Sequence, residues 1–384
     1  MHNLLILFIG LRILKRVGEQ VLQSLNRRYY ENHANQDGAK TTLNITADDM
    51  NKSLAYSRDK QQLATVSSWL TDIVALVFIA FGGIGYLESF AKSQAVAWFG
   101  STNELVIGLL FFAVLALIVM AISLPFKYYQ AFVIEERHGF NRETKRSFFL
   151  DLVKGIIITA IFGGVVLSAL MLIIKHTGSY WWLYGWLFMV GFMLFTTWIY
   201  PTVLAPIFNK FTEIADGDLK SNIFKFADKV GFKTSKIYIM DASKRTTHGN
   251  AYFTGIFGEK RIVLFDTLVS ALTTKEAVAV LAHEIGHYKL NHTRWGLVQG
   301  VITAGLMFYL LSFVVAHAGF YQALSLSSVS IYGALLVFYM WLGLVDFLIT
   351  PIGNYISRRN EFAADRYAKE HLGDGKDLQD GLLK

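Results

Sequence analysis

The chain has 384 residues, of which 53% are hydrophobic and only 17% charged, where a typical globular domain has roughly 25% charged. That composition excludes an ordinary soluble protein, and an aromatic content of 15% excludes a disordered one. The absence of cysteine removes disulfide scaffolds, iron–sulfur clusters, Cys-ligated zinc and thiol nucleophiles, while the net charge of +7 has meaning only through its distribution.

Seven apolar segments lie at about residues 3–14, 66–87, 104–125, 155–174, 181–201, 297–318 and 331–350. Six are about 20 residues long, enough to cross a hydrocarbon core of ~30 Å at ~1.5 Å per residue. The first, Leu4–Leu14, is short and holds Arg12. Lys15 and Arg16 follow it instead of preceding it, so it reads as a tilted or shortened span and not as a signal peptide. The polar stretch 31–60 is expected to be the flexible region. Nearly all of the 36 Lys and Arg fall in 15–65, 126–154, 202–296 and 351–384, whereas the alternate loops 88–103, 175–180 and 319–330 hold only Lys92 and Lys175. This asymmetry assigns the four basic regions to the cytoplasmic side and leaves no role for nucleic acid. Pro125, Pro201 and Pro351, at the cytoplasmic ends of spans, with Pro206 close by, are expected to stop helices there. The sequence thus divides into 1–206 (five spans with cytoplasmic loops), 207–296 (a soluble catalytic insert), 297–350 (spans six and seven) and 351–384 (a C-terminal cytoplasmic segment). The expected fold is mainly α, a seven-transmembrane-helix bundle with a small α/β insert.

Within the insert, Leu219–Val230 reads as a helix and Lys236–Asp241 as a strand. Ala251–Ile256 and Arg261–Asp266 read as a hairpin around Gly258-Glu259-Lys260. Thr273 and Glu276 form a capping box that opens a helix running to His292 and into span six. That helix carries His283-Glu284-Ile285-Gly286-His287. Two imidazoles four residues apart lie within about 40° of each other on one helix face. Such a pair suits a divalent ion, most often zinc. Glu284, about 100° round, reaches a water on the metal as general base without being a ligand. Without cysteine the third ligand must be Asp or Glu. Glu361 and Asp365, past the last span, share a helix face. Either one ligates while the other accepts a ligating histidine's N–H, or both belong to a solvated face with Arg358 and Arg359; spacing does not choose between these. The stretch His248–Gly255 can offer a strand edge to an extended peptide, with His248 or Tyr252 as a candidate oxyanion partner. Asp72 and Asp346, inside spans two and seven, read as an ion relay or, preferably, as polar positions on a water-filled chamber. His317 reads as interfacial.

HEIGHYKLNH (283–292), SRRNEFAAD (357–365), HGNAYFTGIFGEKRIVLFDTLV (248–269), EERHGFNRET (135–144) and YPTVLAPIFNKF (200–211) together resemble the integral-membrane CAAX prenyl proteases, the type I zinc metalloendopeptidases. The resemblance covers the chain from about residue 130 onward. It implies seven membrane helices enclosing a chamber, with a zincin-like insert and the active site on the cytoplasmic side. It further implies one zinc per chain held by His283, His287 and Glu361, Glu284 as catalytic base, and Asp365 as the aspartate behind the ligands. His248, Asn250, Ala251 and Tyr252 would bind substrate, Asn250 and Ala251 beside the zinc. The implied substrate is a peptide or protein prenylated at a C-terminal cysteine, in contact with membrane lipid, in a bacterial inner membrane or the endoplasmic reticulum. The family's C-terminal His-Pro-Pro segment followed by Glu-Arg is not among these residues, which leads to the expectation of a trimmed sequence or of altered substrate binding. Competing readings are quality control, as in the HtpX membrane proteases, and a transporter with a structural zinc site.

Overall fold

The computed structural model describes residues 3–234, 236–254, 260–315 and 317–384. In chain order the helices begin with α1 (Asn3–Glu31), α2 (His33–Leu43), α3 (Ala47–Ala80), α4 (Gly83–Phe99), α5 (Glu104–Tyr129), α6 (Lys145–His176), α7 (Trp181–Ile199) and α8 (Ala205–Phe208). The strand β1 (Phe211–Glu213), α9 (Asp218–Lys229), β2 (Lys236–Met240), β3 (Ala251–Thr254), β4 (Arg261–Phe265), α10 (Asp266–Ala271) and α11 (Thr274–Lys289) follow. The chain then runs through α12 (His292–Val315), α13 (Ala318–Ala323), α14 (Ile331–Leu372) and α15 (Lys376–Leu382).

Among the described residues six helices are long and apolar enough to cross a membrane, and at most 17% of any of their apolar windows is buried within the protein. Most of that surface therefore requires a non-aqueous surrounding. The expected first span is a helix of 29 residues, but Arg12, Lys15 and Arg16 break its apolar run. The stretch expected to be flexible is helical instead, forming α2 and the start of α3. Thr46 Oγ1 caps α3 by accepting from Asp49 N (3.1 Å), and Asp48 and Asp49 sit at the helix's positive end. Residues 88–103, expected as a loop, are mostly α4. The turn between α3 and α4 depends on Gly82 at φ +73, a conformation that other residues adopt only under strain. The prolines do not stop their helices. Pro125 and Pro351 lie inside α5 and α14, and Pro201 lies in a wide π-helical turn at Tyr200–Leu204 that carries the chain on into α8; a second such turn, Gln130–Glu135, continues α5. One missing N–H costs a long apolar helix a single bond.

Contacts divide the chain into two compact units. The first comprises 1–138, 152–188 and 304–350. Its core gathers Ala91 and Ala95 of α4, Phe111 of α5 and Tyr332, Ala334 and Val337 of α14. Glu88, only 1% exposed, accepts from the Ser327 main-chain N–H (2.8 Å) and the Tyr332 hydroxyl (2.7 Å) and pairs with Lys92 (3.0 Å), so no charge is buried without partners. Asp72 is likewise buried and paired, with Arg12 (2.9 Å) and Arg16 of α1. Asp346 is exposed, and Thr350 Oγ1 donates to its main-chain oxygen (2.8 Å).

The second unit comprises 139–151, 189–303 and 351–384. Its sheet runs β1-β2-β4-β3, with β2 and β4 parallel and β1 and β3 antiparallel to their neighbours. The expected hairpin is present as β3 and β4, while its turn and Gly255–Glu259 lie outside the described residues. On one face of the sheet, Ile237, Ala251, Ile262 and Leu264 pack with Ile223 and Phe226 of α9 and Leu281, Ala282 and Ile285 of α11. On the other face a smaller cluster holds Met240, Ala242 and Val263, with Tyr252 against it.

Candidate metal centre and active site

α11 begins at its capping box: Thr273 Oγ1 accepts from Glu276 N (3.4 Å) and Glu276 Oε2 from Thr273 N (2.8 Å). The helix runs to Lys289 and stops short of the expected His292, because Asn291 turns at φ +60 before α12 begins. Gly286 sets the distance to α14. A Cβ there would lie 3.1 Å from Tyr367 Cδ1 and 3.3 Å from Ala364 Cα, so a side chain at this position would press on the last turns of α14.

That approach brings Glu361 and Asp365 to the two histidines. His283 Nε2 and His287 Nε2 are 3.1 Å apart, and Glu361 Oε2 is 3.3 Å from the first and 3.5 Å from the second. These three are the one His/Asp/Glu group among the described residues that is spaced to hold a metal ion. A point about 2 Å from all three atoms exists just outside their plane, which matches zinc–nitrogen and zinc–oxygen bond lengths. Two imidazoles and one carboxylate also form a donor set that zinc accepts, with a fourth position left open. The residues present therefore fit the metal that the sequence leads one to expect.

Asp365 Oδ1 accepts from His283 Nδ1–H at 2.8 Å. This fixes the tautomer that leaves the Nε2 lone pair free toward the other donors. His287 is oriented by a residue that the sequence reading did not single out: its Nδ1 lies 3.0 Å from His292 Nδ1. The only hint in the sequence is a third histidine within HEIGHYKLNH. Its position depends on the Asn291 turn, which the run of residue types does not announce. Burial raises the Glu284 carboxyl above the usual carboxylate range; the charge on His283 lowers it and that on Glu361 raises it. Burial and the neighbouring His283 lower His287, which favours the neutral imidazole that a metal needs.

The other sequence-predicted residues are spread along β3 and the segment leading to it. His248 is exposed and stacks on Phe140 (centroids 4.4 Å apart), and its main-chain oxygen accepts from Thr267 Oγ1 (2.8 Å). Asn250 Oδ1 accepts from Ala251 N (2.8 Å). Ala251 is buried on the sheet face that α11 covers, whereas Tyr252 points to the opposite face against Phe265. Burial, aided by Tyr200, pushes the Tyr252 hydroxyl up to about 12. Also unread in the sequence was a tie behind this segment: Arg245 donates twice to Asp151 Oδ2 (2.6 and 2.9 Å) and once each to Asn209 Oδ1 (3.0 Å) and the Phe208 carbonyl (2.7 Å).

Comparison with known proteins gives two family-model matches. Residues 26–210 match the CAAX prenyl protease N-terminal family, five membrane helices, and residues 213–384 match peptidase family M48. Similar proteins include a CAAX prenyl protease 1 homolog of Dictyostelium discoideum, 36% identical over 330 residues (85% of this chain, 77% of the relative). Another from Arabidopsis thaliana is 36% identical over 344 residues (88% and 80%), and one from Homo sapiens is 32% identical over 373 residues (87% and 78%). Among solved structures, the crystal structure of S. mikatae Ste24p is similar with a TM-score of 0.90 and 30% identity, covering 100% of this chain and 91% of that one.

Proposed function

The chain belongs to peptidase family M48, in the group of the CAAX prenyl protease 1 proteins, and we propose that it cleaves CAAX-type proteins near their C-terminus, beside a prenylated cysteine, at the cytoplasmic side of the membrane. The observation that carries this reading is the triangle formed by His283, His287 and Glu361, with Glu284 on the same helix.

Zinc held by His283 Nε2, His287 Nε2 and Glu361 Oε2 would supply Lewis acidity to a water and to the scissile carbonyl. Glu284 takes the proton of the attacking water and returns it to the leaving amine. Burial raises its carboxyl above the usual range, which favours its taking a proton. Asp365 and His292 keep the two imidazoles turned so that each Nε2 faces the other donors. The outer edge of β3 holds the peptide by main-chain hydrogen bonds, with Asn250 and Ala251 alongside the scissile bond. The four basic segments mark the cytoplasmic side. A transport role has lost its main support, since Asp72 is taken up by two arginines.

Glu284→Gln tests the proposal. The variant should bind roughly one zinc per chain and lose cleavage of a farnesylated CAAX peptide by at least about 100-fold. Equal cleavage by wild type and variant, or a wild type without metal, would refute it.

A further inference from the structure

The faces of α11 have separate tasks. His283 and His287 carry the metal triangle, while Leu281, Ile285 and Tyr288, spaced four and three residues apart, form a stripe packed into the core beneath the sheet. Tyr288 is the last residue of that stripe and directly follows His287.

The Tyr288 ring meets two others. Phe232, 1% exposed in the turn after α9, stands edge-on to it (centroids 5.2 Å apart, 83°), and so does Phe253 of β3 (5.6 Å, 88°). Phe232 and Phe253 meet in the same manner (6.4 Å, 76°), so three rings stand mutually edge to face, an arrangement that their quadrupoles favour. The turn carrying Phe232 passes through Gly231 at φ +61, and Lys289 Nζ of α11 holds it by donating to Gly231 O (2.9 Å).

The ammonium of Lys260 sits on this cluster, 4.0 Å from the centre of the Tyr288 ring and 5.0 Å from that of Phe232. Both rings offer it their negative faces. Thr234 Oγ1 donates to the Lys260 main-chain oxygen (3.0 Å), which fixes the backbone from which the side chain reaches. Lys260 immediately precedes Arg261, the β4 partner of Thr254 at the far end of β3.

Phe253 belongs both to this cluster and to the strand edge. Asn250 O accepts from Phe265 N (3.0 Å), so in the β3–β4 register the main-chain groups of even-numbered residues point to β4 and those of Ala251 and Phe253 to the outer edge. Its ring lies against Tyr288 of α11. Whatever holds the ring therefore holds the edge groups of the same residue.

We propose that Lys260 is a positioning residue for peptide cleavage: seated on Tyr288 and Phe232, its ammonium locks the aromatic cluster that pins the far end of β3 to the metal-binding helix. The proposal rests on the reading above that the β3 edge holds the peptide. A pinned edge spares the substrate the cost of ordering it, and that cost enters binding and not the chemical step.

The test compares Lys260→Met, which keeps the side chain's length and removes its charge, with Lys260→Arg, whose guanidinium also stacks on aromatic faces. The full chain in detergent is assayed on a farnesylated CAAX peptide, and binding of the same peptide is measured in the Glu284→Gln background. Lys260→Met should raise KM and Kd together by about threefold to tenfold, with kcat and zinc content as in wild type, and should quicken amide exchange over Ala251–Thr254. Lys260→Arg should restore all of these. Unchanged KM and Kd in Lys260→Met, or a Lys260→Arg variant as impaired as Lys260→Met, overturns the proposal and leaves the protease reading intact. A lower kcat at constant KM also overturns it, since that marks a loss of active enzyme and not a loosened edge. A wild type that neither binds nor cleaves the peptide overturns the protease reading, and with it the part of Lys260 in holding substrate.

Discussion

A histidine can offer a metal only the nitrogen that does not carry its proton, so the partner of the other nitrogen determines whether the ring is a ligand at all. His283 has a carboxylate in that place and His287 a neutral imidazole, and charge-assisted hydrogen bonds are roughly twice as strong as neutral ones. Asp365→Ala is therefore expected to weaken zinc binding by about 10–100-fold. His292→Ala should weaken it less, and Asp365→Asn least, because the amide oxygen still accepts from Nδ1–H. Competition against a fluorescent zinc chelator gives the order, and a ranking with His292→Ala above Asp365→Ala would contradict it. The spacing of Glu361 and Asp365 put both on one helix face but left a solvated face equally open; only the family resemblance carried by SRRNEFAAD pointed to Asp365 as the partner of a ligating histidine. His292 was not legible: its contact is made across a helix end, where a positive φ at Asn291 breaks the periodicity on which such reasoning depends.

At the scale of elements, the site exists because α11 and the end of α14 touch at Gly286. Gly286→Ala places a methyl about 3.3 Å from the backbone of Ala364, which cannot yield as a flexible side chain would. The variant should keep both histidines and yet bind zinc more weakly, since Glu361 is carried outward; an unchanged zinc affinity would show that α14 is free to shift. The N-terminus of α11 has its own determinant. Thr273→Ala removes the capping hydroxyl and should cost about 1 kcal/mol, seen as about fivefold faster amide exchange along α11. Capping, strand pattern and helix period made α9, β2, β4 and α11 readable in advance. What could not be read was continuity. Prolines carried inside continuous helices, a second helix beginning after Gly82, and helix formation through the polar stretch 31–60 all depend on neighbours that a local pattern does not contain.

For the whole molecule, composition and charge carry a further testable consequence. Among the described residues six helices are long and apolar enough to cross a membrane, and the uneven placement of 36 Lys and Arg predicts which side each connection occupies. The chain has no cysteine, so every introduced thiol is read against zero background. Ser221 and Lys376 are exposed positions in two of the basic regions, and Thr102 is exposed in a connection whose one basic residue is Lys92. In sealed vesicles of known orientation, a membrane-impermeant maleimide should label Ser221→Cys and Lys376→Cys from one face only, and Thr102→Cys only from the other. Labelling of Ser221 and Lys376 from opposite faces would be the more damaging result. Glu361 of α14, fifteen residues before Lys376 at the start of α15, has to meet His283 and His287 on the same side of the bilayer, and a chain that separated them could not assemble the metal centre.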